Sequence, residues 1–160
     1  AEVVGVLTHA ARDSVWLDSC AKSVLLEQRS PAAAVKLHEY DLPGYVRAFQ
    51  KRRFAVVRTA TEKGKSVGKL LIRFASVDRE VPDHDNWVRT ELEGEWRLTV
   101  LPGGKLRIWH RIWVDSKFTE KWHARVNKRM KETVVRSFVK LRELLEADSE
   151  QLGRVGSPRP

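Results

Sequence analysis

The stretch KLRIWHRIWV, residues 105–114, followed by TEKWHARVNKRMKETVVRSFVKLRELLEA, residues 119–147, contains the change of period that decides the fold. In the first run Leu106, Ile108, His110, Ile112 and Val114 share one face of a strand. Arg107, Trp109, Arg111 and Trp113 share the other, because successive strand side chains point to opposite sides. In the second run Trp122, Val126, Met130, Val134, Phe138, Leu141 and Leu145 step by three or four residues, the spacing that lines one face of a helix. The opposing face carries Arg125, Lys128, Arg129, Lys131, Arg136 and Lys140. A strand with one apolar face is thus followed by the one long amphipathic helix in the chain.

Upstream of these residues the period of two persists. Residues 87–101 read as a long strand interrupted at Gly94, where a missing side chain marks a bulge or bend. Residues 67–77 form a hairpin with the strand in which Phe54, Val56, Arg58 and Ala60 alternate with Arg53, Ala55, Val57 and Thr59, across the polar turn Glu62-Lys63-Gly64-Lys65. Before the breaker Pro43-Gly44, one strand face holds Ala33, Val35, Leu37 and Glu39 and the other Lys36, His38 and Tyr40. Ser23-Val24-Leu25-Leu26 is a short strand ended by the turn Arg29-Ser30-Pro31. Ala1 to Leu17 has Val3, Val4, Leu7 and Ala11 at helical spacing, whereas residues 148–160 carry no apolar period and read as a flexible tail on a domain of residues 1–147. The order is helix, six strands, helix, an α+β chain. Hairpin-length connections make the sheet antiparallel, and the long helix is the one element able to cover a face of it. A curved sheet around one helix leaves a space between them, a natural ligand cavity.

Composition narrows the function. A chain of 160 residues fits one domain that buries roughly two-thirds of its unfolded surface. With 42% hydrophobic and 32% charged residues it belongs with globular rather than disordered chains. No apolar run approaches the ~18 residues of a membrane span, and no signal peptide opens the sequence. A single cysteine, Cys20, excludes an intrachain disulfide and an all-cysteine metal site, and is compatible with a cytoplasmic location. The net charge of +9 favours an anionic partner, a membrane surface or a nucleic acid. HExxH, GxSxG and glycine-rich phosphate loops are absent, and Asp83-His84-Asp85 reads as solvated loop charge rather than a metal site. The row Arg107, Trp109, Arg111 and Trp113 has the composition of a platform for single-stranded nucleic acid. It reads more simply as a cation–π ladder on the outer sheet face.

The run Arg52-Arg53-Phe54-Ala55-Val56-Val57-Arg58 resembles the motif of START domains in which an Arg-Asp-Phe-Val strand ends in a further arginine. His38-Glu39 stands where that family has a glutamate on the preceding strand, and Trp87-Val88-Arg89 resembles its Val-Ile-Arg step. Gly103-Gly104, Asp115 and the closing helix follow in the same order, so the resemblance spans Val3 to Leu145. It implies a helix-grip domain: a curved antiparallel sheet, about six strands of it present, wrapped around the C-terminal helix. It implies a cavity for a sterol, phospholipid or other lipid, gated by that helix, in a carrier or sensor without a cofactor. Polyketide cyclases and aromatases of related helix-grip type are the main enzymatic alternative, and a basic nucleic-acid binder is the lesser one.

The resemblance also implies a buried glutamate–arginine pair, here Glu39 and Arg58. Both fall on the strand faces that carry Leu37 and Phe54. An isolated buried charge is costly, so opposed on neighbouring strands each would satisfy the other, leaving guanidinium hydrogens for a ligand's polar group. Arg89 shares a face with Trp87 and Glu91 and either lines the cavity or pairs with Glu91. His110 offers a neutral hydrogen-bond partner, and Phe54, Val56, Ile108, Met130, Val134 and Phe138 complete the expected ligand wall. Two features depart from the family pattern: Arg53 replaces its aspartate, and its first helix and about three strands have no counterpart before Ala1. The strand 105–114 is then expected to present a free edge, suited to a homodimer contact, and the basic helix face to dock on anionic membrane.

Overall fold

The computed structural model describes Leu7 and residues 9–41, 52–64, 68–84, 86–115, 117 and 122–155. Helix α1 (Ala10–Trp16) leads into β1 (Cys20–Ser30), β2 (Ala33–Tyr40), β3 (Arg53–Lys63) and β4 (Lys69–Ser76). After a connection over residues 77–87 come β5 (Val88–Arg89), β6 (Glu91–Val100), a 3-10 turn (Pro102–Gly104), β7 (Leu106–Asp115) and helix α2 (His123–Val155). The strands form one sheet in the order β1-β2-β3-β4-β6-β7, antiparallel throughout except for β5, which lies parallel to β3.

The sheet has seven strands rather than six because residues 87–101 divide at Thr90. Val88 and Arg89 run beside Arg53 and Phe54; from Glu91 the chain pairs with β4 and β7 instead. The interruption expected at Gly94 is not there, since Gly94 sits in an unbroken ladder between Phe74 and Ile112. Its lack of a side chain serves close approach: a Cβ would collide with the Arg111 carbonyl and the Phe74 ring. Helix α2 runs on to Val155, past the boundary expected at residue 148. Glu150, Gln151, Leu152 and Arg154 are good helix formers, and the first proline is Pro158. The start expected for this helix at Thr119, and the helix expected over residues 1–6, lie outside the described residues.

Directly opposed residues of an antiparallel pair share a face, so the ladders say what each face holds. Ile72, Trp96 and Leu98, with Leu70, Phe74, Leu106 and Ile108, face α2 and pack against its Phe138, Leu141, Leu144 and Leu145, with Leu7 and Trp16 from the N-terminal side. Followed across β3 and β2, that same face carries Ala55, Val57 and Thr59, then Lys36 and His38. The opposite face of β2 and β3 is not open to solvent. Val35, Leu37, Phe54 and Val56 are buried there under Val77, Val81 and Trp87. β7 closes the order, and its second edge meets no described strand.

Candidate functional site

Helix α1 brings the first polar group to the inner side of the sheet. Asp13, buried under α1, accepts hydrogen bonds on Oδ2 from Lys36 Nζ at 2.8 Å, His38 Nε2 at 3.0 Å and Ser23 Oγ at 3.3 Å. The Lys36 side chain is 1% exposed and that of Asp13 4%, so neither charge could stand there without the other. Burial, and then the Asp13 charge, push the neighbouring Cys20 thiol up to about 12, which leaves it unreactive. Burial also raises the Tyr40 phenol well above its ordinary value.

The end of α1 is tied to α2. Asp18 accepts from Arg136 Nε at 2.7 Å and Lys140 Nζ at 2.8 Å, and its backbone N–H donates to Ser137 Oγ at 2.9 Å. Burial pushes the Asp18 carboxyl up, but the hydrogen bonds from Lys140 and Arg136 outweigh it and hold the group below the usual carboxylate range. Arg136 and Lys140, expected on the solvated face of the helix, are therefore clasps between α1 and α2.

His110 lies on the α2-facing side of β7, opposite Trp96 of β6. Its ring stacks on Trp96, with centroids 3.7 Å apart and planes 17° from parallel, and lies 5.8 Å from Phe74 and 6.1 Å from Phe138 of α2. Nδ1 is 3.3 Å from the Glu95 carbonyl oxygen, an acceptor, so Nδ1 carries the proton. Burial lowers the imidazole pKa to about 4, against a weaker upward pull from that hydrogen bond, so the ring is neutral at pH 7.

The sheet-facing side of α2 changes character at this point. Ser137 and Leu141 are buried, and Phe138, Leu144 and Leu145 belong to the packed core. One and more turns earlier, Val134, Met130 and Val126 are half-buried and belong to none of the described apolar clusters.

The ten residues singled out from the sequence separate onto two faces. Ile108, His110 and Phe138 meet between the sheet and α2, and Met130 and Val134 share the Phe138 side of the helix by spacing. Glu39, Arg58, Phe54, Val56 and Arg89 lie on the other side of the sheet. The expected Glu39–Arg58 pair does not form. Tyr40 opposes Arg53, which sets Glu39 against Phe54 and Arg58 against Val35, about 13 Å apart along the strands at ~3.3 Å per residue. Arg58 is exposed, and Glu39 is met instead by Lys22 Nζ and His84 Nε2, each at 3.3 Å. His84 is thus no solvated loop residue. It is inserted between Phe54 and Trp87, at 5.0 and 4.6 Å, while its Nδ1 lies 2.8 Å from the Pro82 carbonyl. Arg89 pairs with Asp78 rather than Glu91, donates to the Arg79 carbonyl and covers the Phe54 ring; Glu91 pairs with Lys117. An open cleft of about 440 Å³ lies beside it, lined by Asp78, Arg89, Glu91, Glu93 and Trp113. On the outer face of β6 and β7 the expected row forms one cation–π contact among the described residues, Arg97 over Trp109 at 4.6 Å, and Glu95 binds Arg97 and Arg111.

No family sequence model matches the chain, and no curated protein matches it in sequence. Solved structures do match it in shape. Human StAR-related lipid transfer protein 5 superposes with a TM-score of 0.77 at 12% identity, over 92% of this chain and 70% of its own. Human STARD10 gives 0.71 at 15% identity, over 99% and 67%. The lipid transfer and protein localization domain of human StarD13 gives 0.70 at 14%, over 89% and 68%. This chain has the START-type helix-grip fold. Within that fold, Asp13, Lys36, His38 and His110 are among the polar groups on the α2 side of the sheet, with Thr59 and Arg53 buried on the same face. Only His110 was singled out from the sequence as a ligand contact. The signal for the others was present in Lys36 and His38 alternating through an apolar strand, but their counter-charge, Asp13, lies on a different element, 23 residues from Lys36.

Proposed function

We propose that the chain carries or senses a lipid-like ligand held between the sheet and the first half of α2. The observation that carries this reading is the break in α2 packing: Phe138, Leu141, Leu144 and Leu145 join the core, while Val126, Met130 and Val134, which follow the same helical spacing, are half-buried and belong to none of the described apolar clusters. Apolar side chains left half-covered on the inner side of a helix are energetically unfavourable in water, at roughly 25 cal/mol per Å². An apolar ligand relieves that cost. The solved structures of this shape include proteins described as lipid transfer proteins, which agrees with the reading.

Delivery from a membrane fits the outer face of the same helix. Val135 and Val139 are 63% and 51% exposed there, beside Lys128 and Lys131, which form no ion pair among the described residues. At an anionic bilayer each cation near the surface adds about 1 kcal/mol of attraction. One experiment tests both parts: transfer of a fluorescent sterol to the protein from phosphatidylcholine vesicles with and without phosphatidylserine. The sterol should bind, and Val134→Trp should weaken binding about tenfold by filling the space. Lys128→Glu with Lys131→Glu should slow transfer from the anionic vesicles and leave binding of free sterol unchanged. Failure to bind any apolar probe would overturn the carrier reading, and equal transfer from both vesicles would overturn membrane docking alone.

A further inference from the structure

We propose that His110 selects ligands that bear a hydroxyl group, its Nε2 accepting a hydrogen bond from the polar end of an otherwise apolar molecule. The inference rests on the apolar-ligand reading above and names the chemistry which that site prefers.

A carbonyl oxygen only accepts, so the Nδ1 that faces the Glu95 carbonyl is the protonated nitrogen. A neutral imidazole holds one N–H, and Nε2 is therefore a bare lone pair. Among the described residues Nε2 makes no hydrogen bond, although the ring is half-buried. The protonation state is fixed from both sides, by the hydrogen bond that sets the tautomer and by the apolar surroundings that disfavour the imidazolium.

Trp96 covers one flat side of the imidazole, and Phe74 and Phe138 approach around it. Gly94 lets the Phe74 ring come this close, because any side chain there would displace it. His110 thus lies against Phe138, the first residue of the packed half of α2, with the half-buried Val134 and Met130 one and two turns earlier on the helix. A molecule lying along that half of the helix and reaching Phe138 meets Nε2, a pure acceptor beside the rings of Trp96 and Phe138.

That chemistry discriminates. An alcohol donates to Nε2 and has its own oxygen satisfied. An ether of the same shape cannot donate. A fully deprotonated carboxylate or phosphate offers only lone pairs against a lone pair.

The test compares two matched pairs: a fluorescent sterol with a free hydroxyl against its methyl ether, and hexadecanol against its methyl ether, the latter by displacement of a fluorescent fatty-acid probe. The alcohol of each pair that binds should bind roughly 3- to 10-fold more tightly, the size of one neutral hydrogen bond. In His110→Leu that ratio should fall to about one, and in His110→Gln, whose carboxamide oxygen also accepts, it should recover in part. The ¹⁵N resonance of His110 Nε2 in the wild-type protein should be that of an unprotonated nitrogen and should move on addition of the alcohol but not of the ether. Equal affinity for alcohol and ether in the wild-type chain, or an Nε2 resonance indifferent to the alcohol, overturns the hydroxyl preference and leaves the carrier reading intact. If no probe of either pair binds, the carrier reading falls and this inference with it.

Discussion

In β4, β6 and β7 the residues that face α2 are Leu70, Ile72, Trp96, Leu98 and Ile108, and the opposite face shows Arg73, Glu95, Arg97, Trp109 and Arg111. In β2 and β3 of the same sheet the assignment is inverted. Val35, Leu37, Phe54 and Val56 face away from α2, and the side toward it carries Lys36 and His38 as well as Ala55 and Val57. The inversion is possible because the connection over residues 77–87 covers the outer face of this half with Val77, Val81 and Trp87, while α1 covers the inner face and supplies Asp13. One half of the sheet is a wall with a dry side and a wet side. The other half is buried on both, and places ionised groups on the side that its own alternation would mark as solvated.

The largest test of this contrast is to leave the buried ammonium alone. Asp13→Ala should destabilise the protein by about 3–5 kcal/mol in urea denaturation, because Lys36 then lacks a counter-charge in a site without water access. Adding Lys36→Met should recover most of the loss. Arg73→Ala, at the exposed Arg73–Glu62 pair on the one-sided half, should change stability by no more than about 0.5 kcal/mol. Equal losses for Asp13→Ala and Arg73→Ala would abolish the distinction between the halves.

A smaller effect sharpens it on the α2 side. The folded-state pKa of His110 is depressed from 6.5 to about 4, so between those values the unfolded chain takes up a proton that the folded chain refuses. Stability should be fully present above pH 6.5 and decline as the pH falls toward 4, by at most about 2–3 kcal/mol. Denaturation at stepped pH should show that slope in the wild type and lose it in His110→Phe. A slope unchanged by the substitution would mean that the imidazole is solvated and not enclosed by Trp96 and Phe138.

The smallest effect concerns the clasp between α1 and α2. Asp18→Asn weakens two ion pairs to half-exposed cations and should cost about 0.5–1 kcal/mol at neutral pH. The Asp18 carboxyl is held below its ordinary value, so its contribution is present above the unfolded value of 3.8 and disappears as the pH falls through the lower folded one. The Asn variant should therefore differ from the wild type near neutrality and converge with it in strong acid. A constant offset at every pH would point to lost packing instead of a lost charge.

Much of this molecule was legible one element at a time. Period two through residues 105–114 and the 3.6-residue period through Trp122 to Leu145 are local properties, set by backbone geometry and readable without a partner. The α+β order, the amphipathic helix, the face-sharing of Val35 with Leu37 and of Lys36 with His38, and the inward side of β7 all followed from them. So did the place of His110 among Leu106, Ile108 and Ile112. Which face is the inside is a different kind of question. Alternation says which side chains share a face, and apolar residues mark a covered face only when one side of the strand is covered; in β2 and β3 both are. The Glu39–Arg58 expectation failed for the same reason that Asp13 went unnoticed. Strand register and the packing of α1 on β1 and β2 depend on connections and contacts far apart in the chain, and a shift of four residues moves a charge ~13 Å while leaving every local pattern intact. The residue types and their periods were set by the sequence itself, but the pairing of buried charges was decided only in three dimensions, where a charge takes whichever counter-charge the fold brings within reach.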